Sequence, residues 1–334
     1  MPKATAPSSY PVSGLFGVIK PSGPTSMSIV NDIQLLVARS RLFVDADKLE
    51  KMKDKKMDRR RGKHGRESIK IGQGGTLDPL ANGVLVIGVG KGTKKLNDFL
   101  SCTKEYQTTC LLGCETDSYD GEGARVRLAP WKHVTKEQVE AALPKFTGEI
   151  KQVPPIFSAL KMDGKPLYEY ARKGLPLPRP IEERQVTVNS LGLVKWLGDD
   201  HSFSWPEKQL TAEEKKALEV ALRSIQDDSV IKDEPEPPTD GHSPSAFVLT
   251  MKVSGGTYVR SIVHDLAHAI DSAGHVVTLT RSRQGRFVLD PVEDGDRACV
   301  PWALFEKALT DVGEVDEEGW TEWEREVIKH LEIV

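Results

Sequence analysis

The residues best placed to do chemistry lie in Gly74-Gly75-Thr76-Leu77-Asp78-Pro79. Glycines let a backbone approach a ligand closely, so this stretch can present the Asp78 carboxylate to a substrate as nucleophile or base. A plainer reading is local: Asp78 caps a short helical turn and Pro79 fills its first position. Both can hold together. Arg260 follows Val259 at the edge of an apolar helical face. Its guanidinium can orient a carboxylate or phosphate through paired hydrogen bonds, or simply pair with a nearby acid. Tyr106 falls in an alternating run, as a core aromatic with a wet hydroxyl or as a platform for stacking a base. Cations and aromatics interleave over residues 154–174. There Lys161, Lys165, Tyr168, Arg172 and Lys173 suit phosphate contact combined with stacking, although an ordinary charged helix surface has the same composition.

Other chemistries find less support. Gly88-Val89-Gly90-Lys91-Gly92-Thr93 has the composition of a phosphate loop but not the spacing, and reads as a tight strand-to-helix turn. Cys102, Cys110, Cys114 and Cys299 form no C-x-x-C pair, so neither a zinc site nor a disulfide scaffold is expected. No stretch approaches ~20 apolar residues, so no membrane span is expected. Residues 1–14 are rich in Pro and Ser and lack the apolar core of a secretion signal.

The elements that must carry these residues follow from periodicity. Residues 15–19 read as a short buried strand stopped by Lys20-Pro21-Ser22-Gly23-Pro24. Thr25 or Ser26 then caps a helix with Ile29, Val30, Ile33, Leu36 and Val37 on one face. Residues 40–68 break that pattern and read as a solvated basic insertion or a flexible loop. A strand is expected up to Gly90, a helix over 93–100, and an alternating strand over 104–114. Thr135-Lys136-Glu137-Gln138 is a capping box whose helix turns Val139, Ala142, Leu143 and Phe146 inward. Residues 185–196 read as strand. Thr211-Ala212-Glu213-Glu214 opens a second capped helix. Residues 226–245 are too polar to pack a core. Residues 246–254 read as strand, and Val259, Ile262, Val263, Leu266 and Ile270 follow helical spacing. Short helices are expected near 301–309 and 320–332. Strands and helices mix without strict alternation, which favours an α+β fold.

The chain has 334 residues and a net charge of −3, which hides an asymmetry. Residues 48–70 carry +7, residues 207–240 carry −5 and residues 290–334 carry −10, leaving +12 outside the two acidic parts. A basic body with acidic appendages suits a polyanionic partner.

Six stretches, taken in order over residues 14–289, resemble the TruB family of tRNA pseudouridine-55 synthases. Lys20-Pro21 behind a strand resembles the first motif. Gly75-Thr76-Leu77-Asp78-Pro79-Leu80-Ala81 resembles the catalytic loop, and Lys104-Glu105-Tyr106 the strand with the active-site tyrosine. Residues 155–174 resemble the RNA-gripping thumb. Ser254-Gly255-Gly256-Thr257-Tyr258-Val259-Arg260-Ser261-Ile262 resembles the arginine motif, and Leu279-Thr280-Arg281 a last active-site segment.

The resemblance implies an α+β pseudouridine synthase fold: a mixed, largely antiparallel sheet flanked by helices, with a central RNA-binding cleft. It implies an isomerase that converts uridine to pseudouridine in the tRNA T-loop, without metal or other cofactor. The enzyme would act on the T-arm as a monomer, free of guide RNA, with no obligate protein partner and no membrane. Messenger RNA stem-loops stay open as substrates. By the same resemblance Asp78 is the essential carboxylate. Arg260 beside it keeps it ionised, Tyr106 stacks on the everted base, and Leu279 packs on that base. Lys20, Lys161, Lys165, Tyr168, Arg172 and Lys173 are the candidates for substrate positioning or phosphate contact.

Three departures stand out. Gln73 occupies a place where the family often has a histidine that holds the everted RNA; glutamine still hydrogen-bonds but carries no charge. The 45 residues given after 289 are not expected to make a complete PUA-type domain. The basic insertion 40–68 and the acidic insertion 197–245 are additions of the elaborated eukaryotic kind. The expected layout is therefore a flexible tail over 1–13, a catalytic domain over 14–289 and an acidic segment over 290–334. The basic run is compatible with tRNA affinity, nuclear import or a solvated loop. The expected location is nucleus, cytoplasm or both, with a mitochondrial pool open. Rival readings are a tRNA-folding chaperone on the same scaffold and a guide-RNA-dependent synthase.

Overall fold

The computed structural model describes residues 10–54, 69–173, 175–223, 232–235, 243–311 and 313–334. In chain order it contains β1 (Gly14–Lys20), α1 (Ser26–Val37), α2 (Ala46–Asp54), β2 (Ile71–Gln73), β3 (Asn82–Val89) and, after a 3-10 turn, α3 (Leu96–Ser101). Next come β4 (Lys104–Leu112), β5 (Cys114–Thr116), β6 (Arg125–Leu128), α4 (Lys136–Ala142), β7 (Gly148–Gln152), β8 (Lys161–Met162), β9 (Lys165–Pro166) and α5 (Leu167–Arg172). Then follow β10 (Arg184–Gly198), α6 (Ala212–Arg223), β11 (Ala246–Val253), α7 (Val259–Ala269) and β12 (Gly274–Gln284). The last are β13 (Phe287–Val288), β14 (Arg297–Pro301), α8 (Trp302–Thr310), α9 (Glu322–His330) and β15 (Glu332–Ile333). The chain forms two compact units, Met1–Cys102 with Arg281–Val334, and Thr103–Thr280.

In the first unit the strand order is β2-β3-β1-β14-β13, with the end of β12 beside β13. The β1–β3 pair is antiparallel and the β1–β14 and β13–β14 pairs are parallel. β15 pairs antiparallel with the start of β1. Leu15, Val84, Val86, Leu96, Phe99, Phe287 and Cys299 pack into one apolar cluster. The helical spacing in α1 is realised, since Ile29, Val30, Ile33, Leu36 and Val37 are all buried. The two capping candidates divide the work. Thr25 Oγ1 caps α1 by accepting from the Ser28 N–H at 3.0 Å, whereas Ser26 turns inward.

In the second unit β12, β4, β11, β10 and β7 stand side by side, with antiparallel ladders from β4 through to β7. β5 and β6 form a separate antiparallel pair, and β8 and β9 a third. The apolar face of α7 is buried through Val259, Ile262, Val263, Leu266 and the following Ile270. The Thr135–Gln138 capping box is present on α4.

Three segments depart from the sequence expectation. Residues 40–54 are not solvated loop: Leu42, Phe43 and Val44 are buried, Val12 N–H donates to Leu42 O at 2.8 Å, and α2 follows. A short apolar triad is enough to anchor that stretch. The rest of the basic insertion, 55–68, and tail residues 1–9 lie outside the described residues. The acidic residues 290–334 are not an appendage. Their apolar positions recur at helical spacing, and Trp320, Trp323, Val327 and Leu331 are buried while most acids face water. The insertion 197–245 docks where it is described. Trp205 Nε1 donates to Leu112 O at 2.8 Å, Arg125 N–H to Lys208 O at 2.8 Å, and Glu234 N–H to Leu128 O at 3.0 Å. Its residues 224–231 and 236–242 lie outside the described residues.

Candidate active site

The glycine-rich loop between β2 and β3 is fixed carbonyl by carbonyl. Gln284 Nε2 donates to Gly74 O and, at 3.0 Å, to Phe99 O. Arg281 Nη2 donates to Gly75 O at 3.1 Å while its Nε holds Val84 O at 2.7 Å. Ser26 Oγ donates to Leu77 O at 2.7 Å and accepts from Leu77 N–H at 2.8 Å. Ser22 Oγ holds Leu80 O at 2.7 Å. Lys20 Nζ donates to Ala81 O at 2.7 Å, Pro79 O at 3.2 Å and Pro21 O at 2.9 Å. Lys20 is fully buried, so its ammonium serves the loop and is not presented to solvent. Lys20 and Arg281 sit among the largest fully buried side chains. A buried cation is tolerated only when its donors are matched, and backbone carbonyls match them here.

Asp78 rides on this loop, half-buried. No helical turn forms. Instead Ala81 N–H donates to Asp78 O at 3.1 Å, closing a turn over Pro79-Leu80. Two glycines are required by close approach. A Cβ on Gly74 would come within 2.7 Å of the Phe99 Cβ, and Gly83, at φ +104°, backs onto the Arg281 carbonyl. Gln73 donates from Nε2 to Thr76 Oγ1 at 3.1 Å, and its buried Oε1 has no hydrogen-bond partner among the described residues.

Tyr106, Arg260 and Leu279 belong to the second unit. Tyr106 on β4 is buried and lies opposite Met251 of β11. Leu279, also buried, follows Thr278 on β12, whose carbonyl accepts from Thr108 Oγ1 of β4 at 2.8 Å. Arg260 opens α7 and is 3% exposed, too buried for an ordinary surface arginine. It donates to Ser118 O and, at 2.9 Å, to Phe157 O, and its Nη1 lies 3.7 Å from Asp120 Oδ2. The entry to α7 is clamped by Gln152, whose Oε1 accepts from Tyr258 N–H at 2.8 Å and whose Nε2 donates to Tyr258 O at 2.9 Å.

Asp120 is the residue that sequence reading missed. It sits in a tight turn over 116–121, where Ser118 Oγ donates to its carboxylate at 2.6 Å and Thr116 Oγ1 to its carbonyl at 2.7 Å. The available signal was composition: Thr116-Asp117-Ser118-Tyr119-Asp120-Gly121 is dense in turn formers.

The cationic stretch takes definite form. β8 and β9 make a hairpin through Asp163 and Gly164, both at positive φ, as a two-residue type I′ turn requires. Met162, Leu167, Tyr170 and Ile181 pack beneath it. Lys161, Lys165, Arg172 and Lys173 are exposed. The Arg172 guanidinium lies 5.2 Å from the Tyr168 ring centre, and Lys173 pairs with Glu169 at 3.1 Å.

A second polar cluster lies further along α7. His264 Nε2 is 3.3 Å from Glu115 Oε1, and His268 Nε2 is 3.0 Å from Glu115 Oε2. Burial alone would raise the Glu115 carboxyl, but His264 and His268 hold it well below the ordinary range. These three residues have the reach to share a metal. Arg127 argues against one: its Nε donates to Glu115 Oε2 at 2.8 Å and its Nη2 is 3.1 Å from His268 Nε2. A dication there would face a guanidinium at contact distance.

The family described as TruB family pseudouridylate synthase (N terminal domain) matches residues 61–211. The tRNA pseudouridine synthase 4 of Schizosaccharomyces pombe is 36% identical, covering 87% of this chain and 82% of that protein. The protein of the same name from Saccharomyces cerevisiae is also 36% identical, over 93% of this chain and 83% of its own length. Among solved structures, a chain in the crystal structure of a Cbf5-Nop10-Gar1 complex superposes with a TM-score of 0.52 at 19% identity. That match covers 96% of this chain and 60% of the other, and it speaks to fold alone. The chain belongs to the TruB family of pseudouridylate synthases.

Proposed function

We propose that the protein isomerises uridine to pseudouridine at position 55 in the T-loop of tRNA, without a guide RNA, and that Asp78 is the essential carboxylate. The observation that carries this reading is the loop over 74–81. The carbonyls of Gly74, Gly75, Leu77, Pro79, Leu80 and Ala81 are each held by a side chain. Catalytic groups gain most when their support is fixed before substrate arrives. A half-buried carboxylate on so constrained a backbone suits a reactive role better than a solvated one.

The reaction breaks the N1–C1′ bond, turns the base and joins C5 to C1′, with the C5 proton leaving at the end. It is redox-neutral. The target base must first leave its stack, at a cost of a few kcal/mol. In this reading Tyr106 and Leu279 receive the base, Arg260 supplies fixed positive charge to the reacting region, and Lys161, Lys165, Tyr168, Arg172 and Lys173 grip the T-arm. The names of the relatives support tRNA as the substrate.

The test is turnover by purified protein on a bare tRNA transcript. Pseudouridine should form at the T-loop uridine and at no other position, and should vanish when that uridine is replaced. Turnover only after addition of a guide RNA would favour the guided reading. Tight tRNA binding with no turnover would favour a folding chaperone.

A further inference from the structure

Arg260, His264 and His268 recur at four-residue spacing on α7, which places them along one face. Against that face lies the turn over 116–121. Its Tyr119 has φ +62°, a left-handed backbone that a bulky L-residue seldom adopts unless its surroundings hold it there. Two backbone bonds contribute: Tyr119 N–H donates to Thr116 O at 3.1 Å, and Tyr119 O accepts from Val276 N–H at 3.0 Å. The third hold is a ring. Tyr119 stacks on His264 with centroids 3.9 Å apart and planes 24° apart. The residues either side of Tyr119 are those that meet Arg260: Ser118 through its carbonyl and Asp120 through its carboxylate.

The charge on His264 is set by its neighbours. Glu115 on β5 lies 3.3 Å from Nε2, a charge contact without hydrogen-bond alignment, and Asp265 on α7 lies 3.0 Å from Nδ1. The His268 ring lies beside it, tilted by 33° with ring centres 4.3 Å apart. Arg127 of β6 stands behind Glu115, and Arg260 and Asp120 stand at the far end of the turn. Burial works against the imidazolium, but the Glu115 carboxylate, then Asp265, lift the His264 pKa to about 9. A cationic ring over a phenol gains from the phenol's negative face.

We propose that His264 is a positioning residue for pseudouridylation: clamped to Glu115, its imidazolium holds Tyr119 and through it keeps the Ser118–Asp120 turn seated on Arg260. The inference rests on the reading of Arg260 as a residue of the synthase site. Loss of the His264 proton weakens both the Glu115 clamp and the stack on Tyr119. Turnover should therefore suffer while tRNA affinity does not, because the exposed cations that would grip RNA lie elsewhere in the unit.

The test pairs a titration with kinetics. In wild-type protein the His264 Cε1 NMR signal, assigned by its absence in His264→Gln, should titrate near 9. In Glu115→Gln that midpoint should drop toward the free-histidine value. The His264→Gln single-turnover rate on saturating tRNA should fall by about ten- to a hundredfold near neutral pH, with tRNA Kd within about twofold. His264→Arg keeps a planar cation over Tyr119 and should recover most of that loss. Uridine's own N3 ionises in alkali, so the informative quantity is the wild-type to His264→Gln ratio, in which substrate ionisation cancels. That ratio should narrow between about pH 7 and about pH 10.

A midpoint near the ordinary histidine value overturns the inference whatever the activity. So does an active wild type whose rate His264→Gln matches, or a rate ratio that stays flat with pH. A wild type with no turnover on any tRNA transcript overturns the parent reading, and the inference falls with it.

Discussion

At the scale of single residues, a glycine-rich loop is made rigid by side chains that hold its carbonyls. Lys20 is central, because one buried ammonium serves the carbonyls of Pro21, Pro79 and Ala81. Lys20→Met keeps the volume and removes the donors, leaving buried acceptors unpaired. The expected cost is ~2–3 kcal/mol in denaturant unfolding. A larger drop is expected in turnover than in tRNA affinity; unchanged turnover would contradict the loop-holding role. Lys20-Pro21 and the loop were both visible in sequence as motifs, since each is local. Their connection was not. Arg281 and Gln284 hold the same loop from about 200 residues away, and no periodicity reports a contact of that range. Asp120 was missed for a similar reason. A turn-rich stretch signals a turn, but not that its carboxylate will lie near Arg260.

At the scale of elements, the hairpin β8–β9 and helix α5 present Lys161, Lys165, Arg172 and Lys173 to solvent over a small apolar base. Removing one cation that pairs with an RNA phosphate should flatten the plot of log affinity against log salt by about 0.7–0.9. The triple variant Lys161→Ala, Lys165→Ala, Arg172→Ala should therefore bind tRNA with a shallower salt slope, at nearly unchanged turnover on saturating tRNA. An unaltered slope would remove these side chains from the RNA interface. A second prediction concerns the link from β12 to β14. Arg283 is bidentate to Asp296, with Nη1–Oδ1 at 2.6 Å and Nη2–Oδ2 at 3.0 Å. The Arg283 hydrogen bonds, then the backbone N–H groups of Glu293 and Val292, lower the Asp296 pKa to about 2 from an ordinary 3.8. Such a carboxyl adds stability above its unfolded value and loses it as pH falls through the folded one. The Tm gap between wild type and Asp296→Asn should be full near pH 6 and narrow as pH falls from about 4 toward about 2. A gap independent of pH would contradict the pairing. Helices α1, α4 and α7 were legible because their apolar faces repeat at 3.6 residues. The fold of residues 40–54 was not, because Leu42-Phe43-Val44 is too short to show a period.

At the scale of the whole molecule, the chain separates charge from structure in a way that composition alone misread. The strongly acidic residues 290–334 supply β14, α8, α9 and β15 to the first unit. Trp323 lies 5.9 Å from Phe305 between ring centres, and Val327 is fully buried. Trp323→Ala should cost ~3–5 kcal/mol in unfolding free energy, a core-sized loss. A change typical of surface positions would return this segment to the status of an appendage. Fold class was readable because α+β needs only the order of elements, and the parallel β1–β14 pair was not, because its partners are far apart in sequence. The central claim concerns Asp78. Its most direct test is tritium release from tRNA transcript carrying 5-tritiated uridine, measured for wild type and Asp78→Asn beside tRNA Kd for both. Wild type should release tritium, Asp78→Asn should release none, and the two affinities should be nearly equal. Release by Asp78→Asn at the wild-type rate would contradict that claim.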